Sequence, residues 1–89
     1  MGRLRDKVAV ITGAASGFGE GMAKRFAEEG AKIVVADLNA KGAARVAGEI
    51  GKAAVWTQTD VSRRSEFDEM TATAMDAFGR IDIMVNNAG

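Results

Sequence analysis

Eighty-nine residues allow at most one small domain, and 12 basic residues balance 12 acidic ones, so nothing electrostatic draws the chain to nucleic acid or an anionic membrane. The absence of cysteine and histidine excludes disulfides, thiol catalysis, Cys/His metal sites and a histidine base, and no EF-hand-like grouping of carboxylates suggests a hard cation. The charged start, Met1 to Lys7, has no signal-type apolar core behind it and no stretch has the length of a membrane span, which leads to the expectation of a cytoplasmic protein.

The first apolar run, Lys7 to Ile11, is rich in β-branched residues and lacks polar alternation, as a parallel strand buried on both faces does. It leads directly into Thr12-Gly13-Ala14-Ala15-Ser16-Gly17-Phe18-Gly19, after which Met22 and Phe26 recur at i,i+4 beside Ala23 and Ala27. The chain therefore passes from strand to helix inside the glycine segment. That passage puts free N–H groups and the positive end of a helix dipole at one turn, where a pyrophosphate can sit. Gly13 is expected to permit the tight exit, Gly17 to let an anion approach the backbone, and Gly19 with Gly21 to let the helix pack close to the sheet. A glycine-rich turn with only a structural role is the other reading of these residues.

The second run, Lys32 to Asp37, ends in a carboxylate 18 positions past Gly19. In a dinucleotide-binding unit an acidic residue about 20 positions past the glycines accepts hydrogen bonds from the adenosine ribose. Asp37 could instead start a turn or cap the next helix, a role for which Asn39 is better placed. Ala43, Val46, Ala47 and Ile50 share one face and predict a helix over 40–50. Gly42 and Gly48 each weaken it by roughly 1 kcal/mol relative to alanine, so packing against the sheet must hold it.

The third run, Ala53 to Gln58, is less uniformly apolar and suits an edge strand, with Trp56 as a partly buried packing residue. Asp60-Val61 lies just beyond it, at the same carboxyl-end rim as the glycine loop and Asp37; an aspartate before Ser62 is equally a helix-start signal. A third helix from about Arg63 to Phe78 carries Phe67, Met70, Thr71, Ala74 and Phe78 along one stripe, with Met70 and Met75 filling gaps. Gly30, Gly51 and Gly79 each follow a helical pattern, where C-terminal caps are expected. Ile81 to Val85 forms a fourth strand that runs into Asn86-Asn87-Ala88-Gly89.

The strand–helix rhythm predicts an α/β fold: a Rossmann-like, doubly wound parallel sheet in the order 3-2-1-4, occupying residues 1–89 as the N-terminal part of a nucleotide-binding domain. Right-handed crossovers put the first two helices on one face and the third on the other. The fourth strand is left with an unpaired edge and one face under-covered, so a piece of a longer protein is expected.

The spacing T-G-x-x-x-G-x-G, the Asp60-Val61 pair and the ending N-N-A-G, in that order and each at the end of a strand, resemble the short-chain dehydrogenase/reductase family. The resemblance spans nearly the whole chain. It implies NAD as cofactor, held by Gly13, Ser16, Gly17, Phe18, Gly19, Asp37, Asp60, Val61, Asn87, Ala88 and Gly89. These belong to the adenine, ribose and pyrophosphate side, with Phe18 and Gly19 nearest the nicotinamide half. Asp60 would face the exocyclic amine of the adenine, the asparagines would steady the central strands, and the Ala88-Gly89 backbone would run beside the adenosine ribose. Asp37 implies NAD over NADP, since Ser16 and Leu38 stand where NADP-preferring members usually carry a basic residue.

Reaction chemistry in the family rests on a Tyr-x-x-x-Lys pair and an upstream serine. This chain has no tyrosine, and Ser16, Ser62 and Ser65 all precede the fourth strand, so no catalytic residue is expected within it and the 89 residues alone should be inactive. The function implied is the NAD(H)-binding portion of an oxidoreductase that interconverts an alcohol and a carbonyl compound by hydride transfer. The resemblance also implies a homo-oligomeric full-length parent whose small-molecule substrate is held elsewhere. A non-catalytic nucleotide-binding module, or an assembly fragment that docks a partner strand on its open edge, is the alternative.

Overall fold

The first apolar run becomes the centre of the sheet. In the computed structural model, which describes residues 2–87, β1 (Val8–Thr12) is buried along its whole length. It pairs in parallel with β2 (Lys32–Asp37) on one side, Val10 opposite Val34, and with β4 (Ile83–Val85) on the other, Val10 opposite Met84. β3 (Ala54–Gln58) adds to the far side of β2, which gives the order β3-β2-β1-β4, as the sequence predicts.

Because strand side chains alternate between faces, β1 feeds two cores. Ala9 and Ile11, with Ile33 and Val35, meet Ala23 of α1 (Gly17–Glu28) and Ala43 and Val46 of α2 (Ala40–Ile50). Val10, with Val34 and Ala36, meets Met70 and Ala74 of α3 (Arg64–Phe78) on the opposite face. Two helices thus cover one face and a single helix the other. α2 has the predicted bounds because Asn39 caps it, its side chain accepting from the Gly42 N–H at 3.0 Å. Gly79 closes α3 in the left-handed conformation, at φ 79° and ψ 3°.

The structure differs from the expected bounds at three strands and one helix. β1 begins at Val8 and takes in Thr12. β3 begins at Ala54, whose N–H still turns back to the Gly51 carbonyl at 3.1 Å. β4 begins at Ile83 rather than Ile81 because Asp82 intervenes: its N–H donates to the Val8 carbonyl (2.9 Å) and its carboxylate accepts the Val8 N–H (2.8 Å). α3 begins at Arg64, with Arg63 in the capping position.

Two large side chains lie further out than expected. Trp56 is 46% exposed, since an edge strand has a neighbour on one side only. Met75 is 50% exposed, one residue round the helix from the buried Ala74. No helix of the described residues is long and apolar enough to cross a membrane, and among them no cluster of three or more carboxylates is arranged for a metal.

Candidate functional site

The exit from β1 relies on two backbone conformations that cost glycine little. Gly13 sits at φ 63° and Gly17 at φ 57°, both in the left-handed region. Between them Ala14 donates its N–H to the Ala36 carbonyl at 3.2 Å, which ties the loop to β2. Ser16 is the N-cap of α1, but its hydroxyl makes no capping bond. The first N–H groups of the helix have no intrahelical acceptor by geometry, so the loop ends in a set of donors at a positive helix end.

Gly19 is the position of close approach. A Cβ there would overlap the Gly13 carbonyl and come within 2.7 Å of Asn87 Nδ2. Gly21, expected to share this role, does not: a Cβ on it would meet nothing. Two residues along a helix turn about 200°, so Gly21 faces solvent when Gly19 faces the sheet. Phe18, between them, is 77% exposed.

Asp37 does more than either sequence reading supposed. Its Oδ1 accepts the Asn39 N–H at 2.9 Å, which makes the turn after β2, and its Oδ2 accepts the Ala15 N–H at 3.0 Å, which ties the carboxylate to the glycine loop. Asp60 fills the expected turn role ahead of the third helix. Its Oδ1 accepts from the Ser62 hydroxyl (2.5 Å) and the Ser62 N–H (3.0 Å), bonds that hold the carboxyl below its usual range, the hydroxyl contributing more. This is the helix-start turn, and Asp60 also borders the cleft described next.

That cleft lies at the carboxyl ends of β1, β2 and β3 and has a volume of about 310 Å³. Gly13, Asp37, Leu38, Asp60 and Val61 line it, with Thr12, Ala36, Thr59 and Ser62. No lysine or arginine is among these residues. Thr59 is 3% exposed, and its hydroxyl has no hydrogen-bond partner among the described residues.

The end of β4 is fastened to the same region. Asn87 donates its backbone N–H to the Thr12 hydroxyl at 2.9 Å and its side-chain amide to the Gly13 carbonyl at 3.3 Å. The Thr12 hydroxyl in turn reaches the Val85 carbonyl and the Asn86 side chain, each at 3.3 Å. Ala88 and Gly89, also named from the sequence, lie outside the described residues. The structure therefore gathers Gly13, Asp37, Asp60 and Val61 around one cleft, and sets Gly19 and Asn87 against the Gly13 carbonyl. Ser16, Gly17 and Phe18 occupy the exposed start of α1.

Sequence reasoning did not name Thr12, Ala36, Leu38, Thr59 and Ser62 as cofactor-binding residues, although all five line the cleft and each belongs to or adjoins a recognised motif. It also missed Arg45, which reaches the Ala15 carbonyl at 3.0 Å from 30 positions away. No local pattern marks that contact.

A parallel sheet whose order reverses between β1 and β4, with a cleft at the carboxyl ends of its strands, defines the Rossmann-like class. The family model described as short chain dehydrogenase matches residues 7–89, and the chain belongs to that family. It is similar to galactitol 2-dehydrogenase of Agrobacterium fabrum, at 46% identity over 97% of this chain and 34% of that protein. Sorbitol dehydrogenase of Cereibacter sphaeroides is 43% identical over the same shares, 97% and 34%. Among solved structures, a 3-ketoacyl-(acyl-carrier-protein) reductase from Brucella melitensis complexed with NADH matches with a TM-score of 0.90 and 54% identity, over 91% of this chain and 33% of that one. A hydroxysteroid dehydrogenase from Escherichia coli matches with a TM-score of 0.93 and 40% identity, over 99% and 39%. The chain thus spans about a third of the length of the curated dehydrogenases it matches.

Proposed function

We propose that this chain is the adenosine-side, NAD-binding part of a short-chain dehydrogenase whose complete form interconverts an alcohol and a carbonyl compound. The observation that carries the reading is the cleft in which Gly13, Asp37, Asp60 and Val61 converge at the ends of three parallel strands. Three features fit a dinucleotide there. The glycine loop ends in helix N–H donors, the contact at Gly19 leaves no room for a Cβ, and the apolar Leu38 and Val61 border the cleft beside two carboxylates.

In this reading the loop from Gly13 to Gly19 holds the pyrophosphate, with Ser16, Gly17, Phe18 and Gly19 supplying backbone donors or room. Asp37 accepts from the adenosine ribose hydroxyls, each of its oxygens retaining acceptor capacity beyond one backbone N–H. Asp60 and Val61 meet the adenine, and Asn87, Ala88 and Gly89 flank the ribose. When bound, the nicotinamide would accept the hydride from the alcohol or, reduced, return it to the carbonyl. The chain's own residues bind and orient; with no tyrosine among them, the proton donor and the substrate pocket belong to the rest of the parent enzyme. A cytoplasmic location and a homo-oligomeric parent complete the proposal.

Asp37 sets the choice between cofactors. A 2′-phosphate would bring a second negative charge against its carboxylate, and no basic residue lines the cleft to offset it. A difference of about 1.4 kcal/mol already gives a tenfold preference. Calorimetric titration of the complete protein with NAD and NADP is the test: NAD should bind at least about tenfold more tightly, and Asp37→Ser should narrow that ratio. Tighter binding of NADP by the parent protein would overturn the assignment.

A further inference from the structure

Both backbone polar groups of Ala15 are held, and one grip comes from a helix outside the cleft. Its N–H is taken by Asp37 and its carbonyl by Arg45 Nη2, each at 3.0 Å. Gly42, one turn before Arg45 on α2, faces the same residue: a Cβ on Gly42 would stand 2.8 Å from the Ala15 Cβ. The glycine that weakens α2 is therefore what lets α2 lie against the loop.

Arg45 is itself fixed. Nη1 donates to Glu20 Oε2 (3.3 Å) and Glu49 Oε2 (3.2 Å), while Nη2 donates to Glu20 Oε1 (2.9 Å) as well as to Ala15. These four bonds use all four Nη hydrogens of a planar guanidinium, whose fork geometry then leaves it little freedom. Lys24 closes the ring by bridging Glu20 (2.7 Å) and Glu49 (2.6 Å). For an ion cluster at the surface this is more than decoration, because one of its donors is spent on loop backbone.

A peptide unit is planar and trans, so the direction of the Ala15 carbonyl fixes the opposite direction of the Ser16 N–H. We propose that Arg45 is a positioning residue for the cofactor loop: by holding the Ala15 carbonyl on the α2 side, it turns the Ser16 N–H away from α2 as a preset donor for the dinucleotide's phosphates. The proposal rests on the NAD-binding reading above. It adds a determinant of affinity on α2, a helix that contributes no residue to the lining of the cleft. Lysine cannot replace the device, since a single nitrogen cannot span Glu20, Glu49 and Ala15 in one plane.

The test uses the complete protein, with Kd for NAD and ADP-ribose, steady-state KM and kcat, and thermal melting measured on four forms: parent, Arg45→Ala, Arg45→Lys and Glu49→Ala. Arg45→Ala should raise both dissociation constants and the KM for NAD about tenfold while kcat at saturating cofactor stays within about twofold, because the loop would have to be ordered at the moment of binding. Arg45→Lys should recover part of the melting temperature and less of the affinity. Glu49→Ala, which removes partners of Lys24 and Arg45 but leaves the Ala15 contact, should lower the melting temperature with Kd within about twofold of the parent. Parental Kd in Arg45→Ala, or loss of affinity in Glu49→Ala equal to that in Arg45→Ala, would reduce Arg45 to a surface brace. Should Arg45→Ala not fold, parental Kd in Arg45→Lys would reduce it in the same way. A parent protein that binds neither dinucleotide would remove the cofactor reading itself, an outcome visible before any variant is compared.

Discussion

Asn87 holds Thr12 and Gly13 at once: its backbone N–H meets the Thr12 hydroxyl at 2.9 Å and its side-chain amide the Gly13 carbonyl at 3.3 Å. Seventy-five positions separate Asn87 from Thr12, so the last strand is locked to the first just where the first gives way to the glycine loop. Thr12→Val keeps the shape and removes the hydroxyl. The variant should lose about 1 kcal/mol of stability, the usual net worth of such a bond. Denaturant unfolding of the complete protein measures this, and an unchanged midpoint would assign the tie no energetic role.

Gly19 and Gly21, two of the three glycines in the first turns of α1, give opposite expectations. Gly19→Ala drives a Cβ into the backbone of Gly13, an overpacking that costs about 1–3 kcal/mol and displaces the loop. NAD binding should fall with it. Gly21→Ala meets open space and should stabilise the protein by about 0.5–1 kcal/mol through helix propensity. Parallel melting curves decide both, and two variants of equal stability would contradict the packing at Gly19.

Acid should dissolve the cluster that braces the loop. The Arg45 guanidinium first, and the Lys24 ammonium second, hold the Glu20 carboxyl down to about 2 from an ordinary 4.5. Glu49 is lowered in the same direction by Lys24 and Arg45. A carboxyl depressed on folding gives stability that is complete above its unfolded value and lost as pH falls toward its folded one. The parent should therefore lose this contribution from about pH 4.5 down to about 2, whereas Glu20→Gln lacks it throughout. Unfolding free energies of the two, compared at neutral pH and through that window, should converge in acid; a constant difference would show that Glu20 ionisation is not linked to folding.

What the sequence made legible follows from how local each cause is. The order of strands, the bounds of α2 and the two-faced core all depend on short-range periodicity and on caps such as Asn39, and the structure has them as expected. Strand ends were harder to read, because the start of β4 is decided by Asp82 bonding to Val8, 74 positions earlier. Asp37 and Asp60 each read as a turn residue or a ligand; the structure shows the turn bonds of both, and a carboxylate keeps acceptor sites beyond them. Arg45 was invisible because its charge pattern with Glu49, at i,i+4, is that of any solvated helix. Only the fold brings α2 against the loop.

The carboxylate of Asp37 touches both the loop, through the Ala15 N–H, and the cleft. In the proposed NAD-binding reading, this double contact would couple two parts of one dinucleotide. If a ribose engages Asp37 better when the Ala15 bond is formed, a phosphate that orders the loop must strengthen ribose binding by the same factor as ribose strengthens phosphate binding. Fragments of the dinucleotide should then bind in a non-additive way, with ADP-ribose tighter than its separate halves imply, because the chain reads the molecule as a single object rather than as a row of independent contacts.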